Sequence, residues 1–171
     1  MSVPYEVAKP WRKLLEEREL LHDTLGEFAG VEAYTSARGS KKLKERQHTA
    51  ALEFFVGNVF NLVVDLAKEL LIANAQADRR ALKRQGADQI LKMADEAGML
   101  RSEDLEEIQL GRNEGQHQYA FMAVQQAWRQ ITLVESSIDK IMAQLQIGFE
   151  KAGVKLDMDW PGFVGEEEVG L

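Results

Sequence analysis

Between Pro10 and Pro161 the chain contains no proline. Proline inside a helix removes one main-chain hydrogen bond and clashes with the carbonyl four residues back. Its absence therefore leaves the whole middle of the sequence open to long helices. The apolar residues use that freedom, recurring at three- and four-residue steps rather than alternating as in a half-buried strand. An all-α protein follows, expected as an up-and-down bundle of four to five helices in a single domain over residues 1–152. Residues 153–171, rich in glycine and carrying Glu166, Glu167 and Glu168, are expected to form a flexible acidic tail.

The first helix is predicted over 11–29, with Trp11, Leu14, Leu15, Leu21, Leu25 and Phe28 along one stripe. Gly30 and residues 34–40 read as a loop. A long second helix is predicted over 41–76. Leu43, Ala50, Phe54, Leu62, Leu66, Leu70 and Ala73 mark one face, and Phe55, Val59 and Val63 widen it enough to meet more than one neighbour. Gly57, in its interior, suggests a kink or a close helix contact. A third helix over 87–97 stops at Gly98. A fourth starts on Ser102 as N-cap, with Glu103 and Asp104 favouring the positive end of its dipole, and should end or bend at Gly111. The fifth carries Val124, Trp128, Ile131, Ile138, Met142, Leu145 and Phe149, interrupted only by Glu135.

With 21 basic and 28 acidic side chains the net charge is −7, so the molecule as a whole should not be drawn to nucleic acid or to an anionic membrane. Any attraction to RNA must come from a local patch. Arg38, Lys41, Lys42, Lys44 and Arg46 form one candidate run, and Arg79, Arg80, Lys83 and Arg84 another, although either also reads as a solvated helix end. The absence of cysteine removes thiol nucleophiles, Cys-ligated zinc and disulfides, and fits a reducing compartment. No uninterrupted apolar run reaches the ~18 residues of a membrane span, and the N-terminal residues lack the apolar segment of a signal peptide. The expected location is cytoplasmic, without membrane association. Three histidines without cysteine make a poor zinc site, and neither a metal nor a cofactor is expected. His22 and His48 read as helix-surface residues without chemistry, and Trp128 and Phe121 as core.

Chemistry concentrates between the fourth and fifth helices, in Arg112-Asn113-Glu114-Gly115-Gln116-His117-Gln118-Tyr119. Positions 112 and 117 would stand about 140° apart around a continuous helix, but Gly111 and Gly115 allow a break through which Arg112 and His117 converge. A neutral histidine can remove the 2′-hydroxyl proton of RNA near its own pKa. An arginine can grip the phosphate and stabilise the charge that grows on it. Asn113 can fix the histidine tautomer or a phosphate oxygen, and Tyr119 can add a hydroxyl or a stacking face. Cleavage by such a set needs no metal and leaves a 2′,3′-cyclic phosphate or a 3′-phosphate.

Arg-Asn-x-x-x-His-x-Tyr resembles the Arg-x4-His-x-Tyr signature of the HEPN superfamily, in its HepT-like branch. Residues 52–71 resemble the long second helix of that family, and Gln89 to Leu100 its helix followed by a glycine turn. The resemblance covers about residues 41–145. It implies an RNA endonuclease toxin whose Arg112, Asn113 and His117 act in a composite site across a homodimer. It also implies a minimal nucleotidyltransferase antitoxin that adds AMP to the motif tyrosine, here Tyr119. In that family an acidic residue of the second helix often orients the arginine or histidine, a role open to Glu53 or Asp65. A second class stays open: a non-catalytic subunit that binds a nucleotide or docks a nucleotidyltransferase, which the acidic composition favours.

Overall fold

The computed structural model describes residues 3–117 and 124–159, and for 110–117 the backbone alone. Among the described residues the chain forms seven helices and no strand: α1 Tyr5–Gly26, α2 Val31–Gly39, α3 Leu43–Ala73, α4 Arg79–Leu82, α5 Ala87–Glu96, α6 Ser102–His117 and α7 Val124–Lys151. The all-helical expectation holds; several details do not.

Helix α1 begins six residues earlier than predicted and runs through Pro10. The Pro4 carbonyl accepts from Val7 and Ala8 at 3.0 and 2.8 Å, while Pro10 leaves the Glu6 carbonyl without its usual partner. Burial outweighs that loss, because Val7, Ala8, Trp11, Leu14 and Leu21 form one continuous buried stripe. Residues read as a loop instead form α2. Its glycine, serine and threonine are poor helix formers, but Tyr34 and Ala37 fall on one side and are buried. Tertiary packing decides this element.

Helix α3 runs through the middle and packs against all six other helices. Leu52, Phe55, Val56, Val59, Phe60, Val63, Leu66, Leu70 and Leu71 enter the core, whereas Leu43, Ala50, Phe54 and Ala73, predicted to face inward, are exposed. Gly57 marks no close contact, since a Cβ added there would meet nothing within 4 Å. By length and composition α3 could cross a membrane, with mean hydropathy 1.5, although no uninterrupted apolar run suggests it. Its six helical neighbours account for that composition as well.

Three helices end in the same way. Gly98 (φ 70°) follows α5, Gly153 (φ 80°) follows α7, and Ala75 (φ 54°) follows α3. In each the next amide bonds back five residues: Met99 to Ala94, Val154 to Phe149 and Gln76 to Leu71, at 2.9 Å in all three. The α6 N-terminus borrows its acceptors. Arg101 N–H donates to Gln144 Oε1 at 2.7 Å and Ser102 N–H to Asp95 Oδ1 at 3.0 Å. The Arg101 carbonyl accepts from Leu105, which makes Arg101, rather than Ser102, the capping position.

Side-chain pairs set the helix directions. Glu17 with Asn58 and Glu27 with His48 make α1 antiparallel to α3. Arg18 with Asp139 and His22 with Glu135 make α1 antiparallel to α7. Gln144 with Asp104 and Ser137 with Glu107 make α6 antiparallel to α7. Helix α7 runs parallel to α3, and the two meet closely where a Cβ on Gly148 would lie 2.8 Å from Leu70 Cδ1. Asn74 clamps that corner, its Nδ2 donating to the Leu70 and Gly148 carbonyls at 3.0 and 3.1 Å. The packing continues past α7: Leu156 is buried, and Trp11 Nε1 donates to the Asp157 carbonyl at 3.0 Å.

Candidate functional site

Helix α6 runs unbroken through Gly111 and Gly115 to His117. The expected break at these glycines is therefore absent. Both residues are permissive rather than obligatory breakers, and the helix continues where the packed turns before them set its course. Positions 112 and 117 stand about 140° apart around the axis, while 113 and 117 are one turn apart on the same side. Within one copy the backbone does not bring Arg112 and His117 to a common point. Tyr119 and Phe121 lie outside the described residues.

The surroundings of this end follow from the helix directions. Because Asp104 meets Gln144 and α6 is antiparallel to α7, the last turns of α6 lie toward the start of α7. That end also holds the α2 corner. Trp128, in the second turn of α7, packs against Tyr34 with ring centroids 5.2 Å apart, and Phe28 lies edge-on to both at 5.7 and 6.3 Å. Beneath them Tyr34 Oη donates to Glu53 Oε1 at 3.1 Å, and Arg38 Nη1 approaches the same oxygen at 2.8 Å. Burial, then the charge of Glu53 and its hydrogen bond, hold the Tyr34 phenol well above its ordinary pKa, opposed by Arg38. Tyr34 stays a neutral donor at any working pH.

The two acidic candidates of this helix thus separate. Glu53 lies at the motif end and is engaged by α2. Asp65 is exposed, with Lys68 Nζ 3.4 Å away in the next turn. Glu53 already holds a cation, Arg38 of α2.

The two remaining histidines have carboxylate partners that sequence spacing did not reveal, because each partner comes from another helix. His48 Nδ1 lies 2.5 Å from Glu27 Oε2. The pair borders a groove of about 590 Å³ that Phe28, Ser36, Lys44 and Glu45 also line. His22 Nδ1 lies 3.1 Å from Glu135 Oε1, which gives a structural reason for the one charged residue on the α7 stripe. Neither histidine stands with two further His, Asp or Glu placed to hold a metal, among the described residues.

Comparison with protein-family models, curated proteins and solved structures finds no match to this chain. Functional interpretation thus rests on the residues. An arginine, an asparagine and a histidine within the last two turns of α6, at the bundle end that holds the Tyr34–Glu53–Arg38 network, are residue types suited to holding a phosphodiester and moving one proton.

Proposed function

We propose that the protein is a metal-independent endoribonuclease of the HEPN type, working in the cytoplasm as the toxin of a pair with a minimal nucleotidyltransferase. The observation that carries this reading is the run Arg112-Asn113-x-x-x-His117-x-Tyr119 at the end of α6, followed by the long helix α7 in an all-helical chain. The antiparallel sequence α1, α3, α6, α7 supports the finer architecture, an up-and-down four-helix bundle with α2, α4 and α5 as short additions. His117 removes the 2′-hydroxyl proton, Arg112 stabilises the phosphorane charge, Asn113 orients one or the other, and Tyr119 is the residue that the partner enzyme modifies with AMP.

The continuous α6 gives a reason for a homodimer. One copy cannot readily direct positions 112 and 117 to one phosphate, but two α6 ends side by side can pair Arg112 of one copy with His117 of the other. Exposed Leu43 and Phe54, 71% and 66% accessible, supply apolar surface on the α3 half that lies at this end.

The test is degradation of single-stranded RNA by purified protein in EDTA. His117→Ala should lower the rate roughly 10²–10⁴-fold while the helical signal stays intact. Undiminished cleavage by that variant rules the reading out. The alternative, a non-catalytic subunit docking a nucleotidyltransferase, is favoured by the same 140° separation and by the net charge of −7. It predicts no cleavage, no growth inhibition on expression alone, and no adenylate-sized mass gain at Tyr119 on co-expression with a nucleotidyltransferase.

A further inference from the structure

Of the two basic runs in the sequence, the fold mixes carboxylates into one and gathers the cations of the other around a hollow without them. Arg38 is held by Glu53 at 2.8 Å, and Lys42 lies 3.7 Å from Glu45. Glu27 and Glu45 line the same groove as Lys42 and Lys44. Arg38 of that run thus ties α2 to α3. The second run differs: Arg79, Arg80, Lys83 and Arg84 together line one open hollow of about 560 Å³, with no acidic residue in its wall. Arg79 is committed to Glu69 by two bonds of 2.7 and 2.8 Å. Among the described residues, Arg80, Lys83 and Arg84 have no carboxylate within 4.0 Å.

Their spacing presents them together. The turn of α4 continues past Leu82, with Lys83 N–H bonded to the Arg79 carbonyl at 3.2 Å. Positions 80, 83 and 84 therefore share one side, and Leu82, on the opposite side, is buried in the core. Asp78 caps the turn by accepting from Ala81 N–H at 2.7 Å. The three cations are presented by an anchored turn, and among the described residues no ion pair uses them.

We propose that Arg80, Lys83 and Arg84 form a second anchoring point for the sugar–phosphate backbone of single-stranded RNA, remote from the Arg112–His117 end. A bilayer is the poorer fit, because the only exposed apolar residue of α4 is Ala81, too small to anchor in a membrane. An acidic protein would need an apolar or aromatic anchor at the centre of its interface, and the hollow has none. Phosphates spaced along a strand match several separate guanidinium and ammonium groups. The hollow lies where α3 and α7 end and α6 begins, so the length of α6, about 24 Å, separates it from the motif. An RNA about a dozen nucleotides long reaches both points, whereas a trinucleotide reaches only one.

This inference rests on the ribonuclease reading for its ligand, and binding can be tested apart from cleavage. In a His117→Ala background, anisotropy of labelled RNA is measured in EDTA over a range of salt, with and without Arg80→Ala, Lys83→Ala and Arg84→Ala together. The expected result for the dozen-nucleotide RNA is about tenfold weaker binding, with a salt slope shallower by about 2, three phosphates at ~0.7 each. The loss should be smaller for a trinucleotide, which cannot engage both points at once. Equal affinity and slope for the triple variant overturn the proposal. So does binding of phosphatidylserine vesicles or polyglutamate that depends on these cations while RNA binding does not. If native protein never cleaves RNA yet the cation-dependent binding appears, the anchoring point stands and the ribonuclease reading falls. If cleavage depends on His117 but long RNA ignores the triple variant, the reverse holds.

Discussion

At the scale of single residues, Ala75 carries the clearest strain. It occupies the left-handed region (φ 54°) at a helix end of the kind that glycine fills after α5 and α7. A side chain in that region costs about 1–2 kcal/mol, and glycine gives back about 0.4–1 kcal/mol through its freer unfolded chain. Ala75→Gly should therefore stabilise the fold by roughly 0.5–1 kcal/mol, read as a rise of about 2 °C in Tm. A fall in Tm would mean that the Ala75 methyl group contributes packing beyond its backbone cost. The glycine stop at Gly98 was legible because glycine announces itself in sequence. Ala75 was not, because the hydrogen bonds that force its conformation, Gln76 to Leu71 and Asn74 to Gly148, depend on the close meeting of α3 and α7.

At the scale of elements, sequence reading succeeded where the buried residues of a helix follow one stripe and failed where several faces or tertiary packing decide. The core positions of α7 follow its stripe from Ile131 to Phe149. In α3, buried on several sides, the apolar residues exceed what any one stripe explains, so Leu43, Ala50 and Phe54 could be assigned inward with equal logic. Helix α2 escaped notice because its two buried residues, Tyr34 and Ala37, are too few to make a period. Helix α6 was broken in expectation by its glycines, yet glycine weakens a helix by only about 1 kcal/mol, far less than proline does. The continuity of α6 can be tested. Gly111→Ala and Gly115→Ala together should raise stability by up to about 2 kcal/mol and leave RNA cleavage within a few fold of native. Loss of both stability and cleavage would show that the working site needs a break at these positions.

At the scale of the whole molecule, the decisive question is what covers the first half of α3. Leu43 and Phe54 are among the most exposed large apolar residues described, and Ala50 lies exposed between them. Leu43, Ala50 and Phe54, with the polar Gln47 between them, advance by four, three and four, so they share one side of the helix. Gly57, one turn on, has open space where its Cβ would be, which permits close approach of another backbone. A second copy laid against this side would bury apolar area at about 25 cal/mol per Å². It would also bring together the bundle ends where α6 finishes, the arrangement that a site shared between Arg112 and His117 requires. Phe54→Glu with Leu43→Glu should then yield a folded monomer by light scattering, with its Tm little changed because neither side chain supports the core. RNA cleavage should fall at least as far as in His117→Ala. Mixing Arg112→Ala with His117→Ala protein should restore part of the activity, since one of the two shared sites in such a heterodimer keeps both residues. Full activity in the monomeric variant, or no recovery on mixing two proteins shown to exchange subunits, would place the chemistry within one copy, and the α3 stripe would then need another partner.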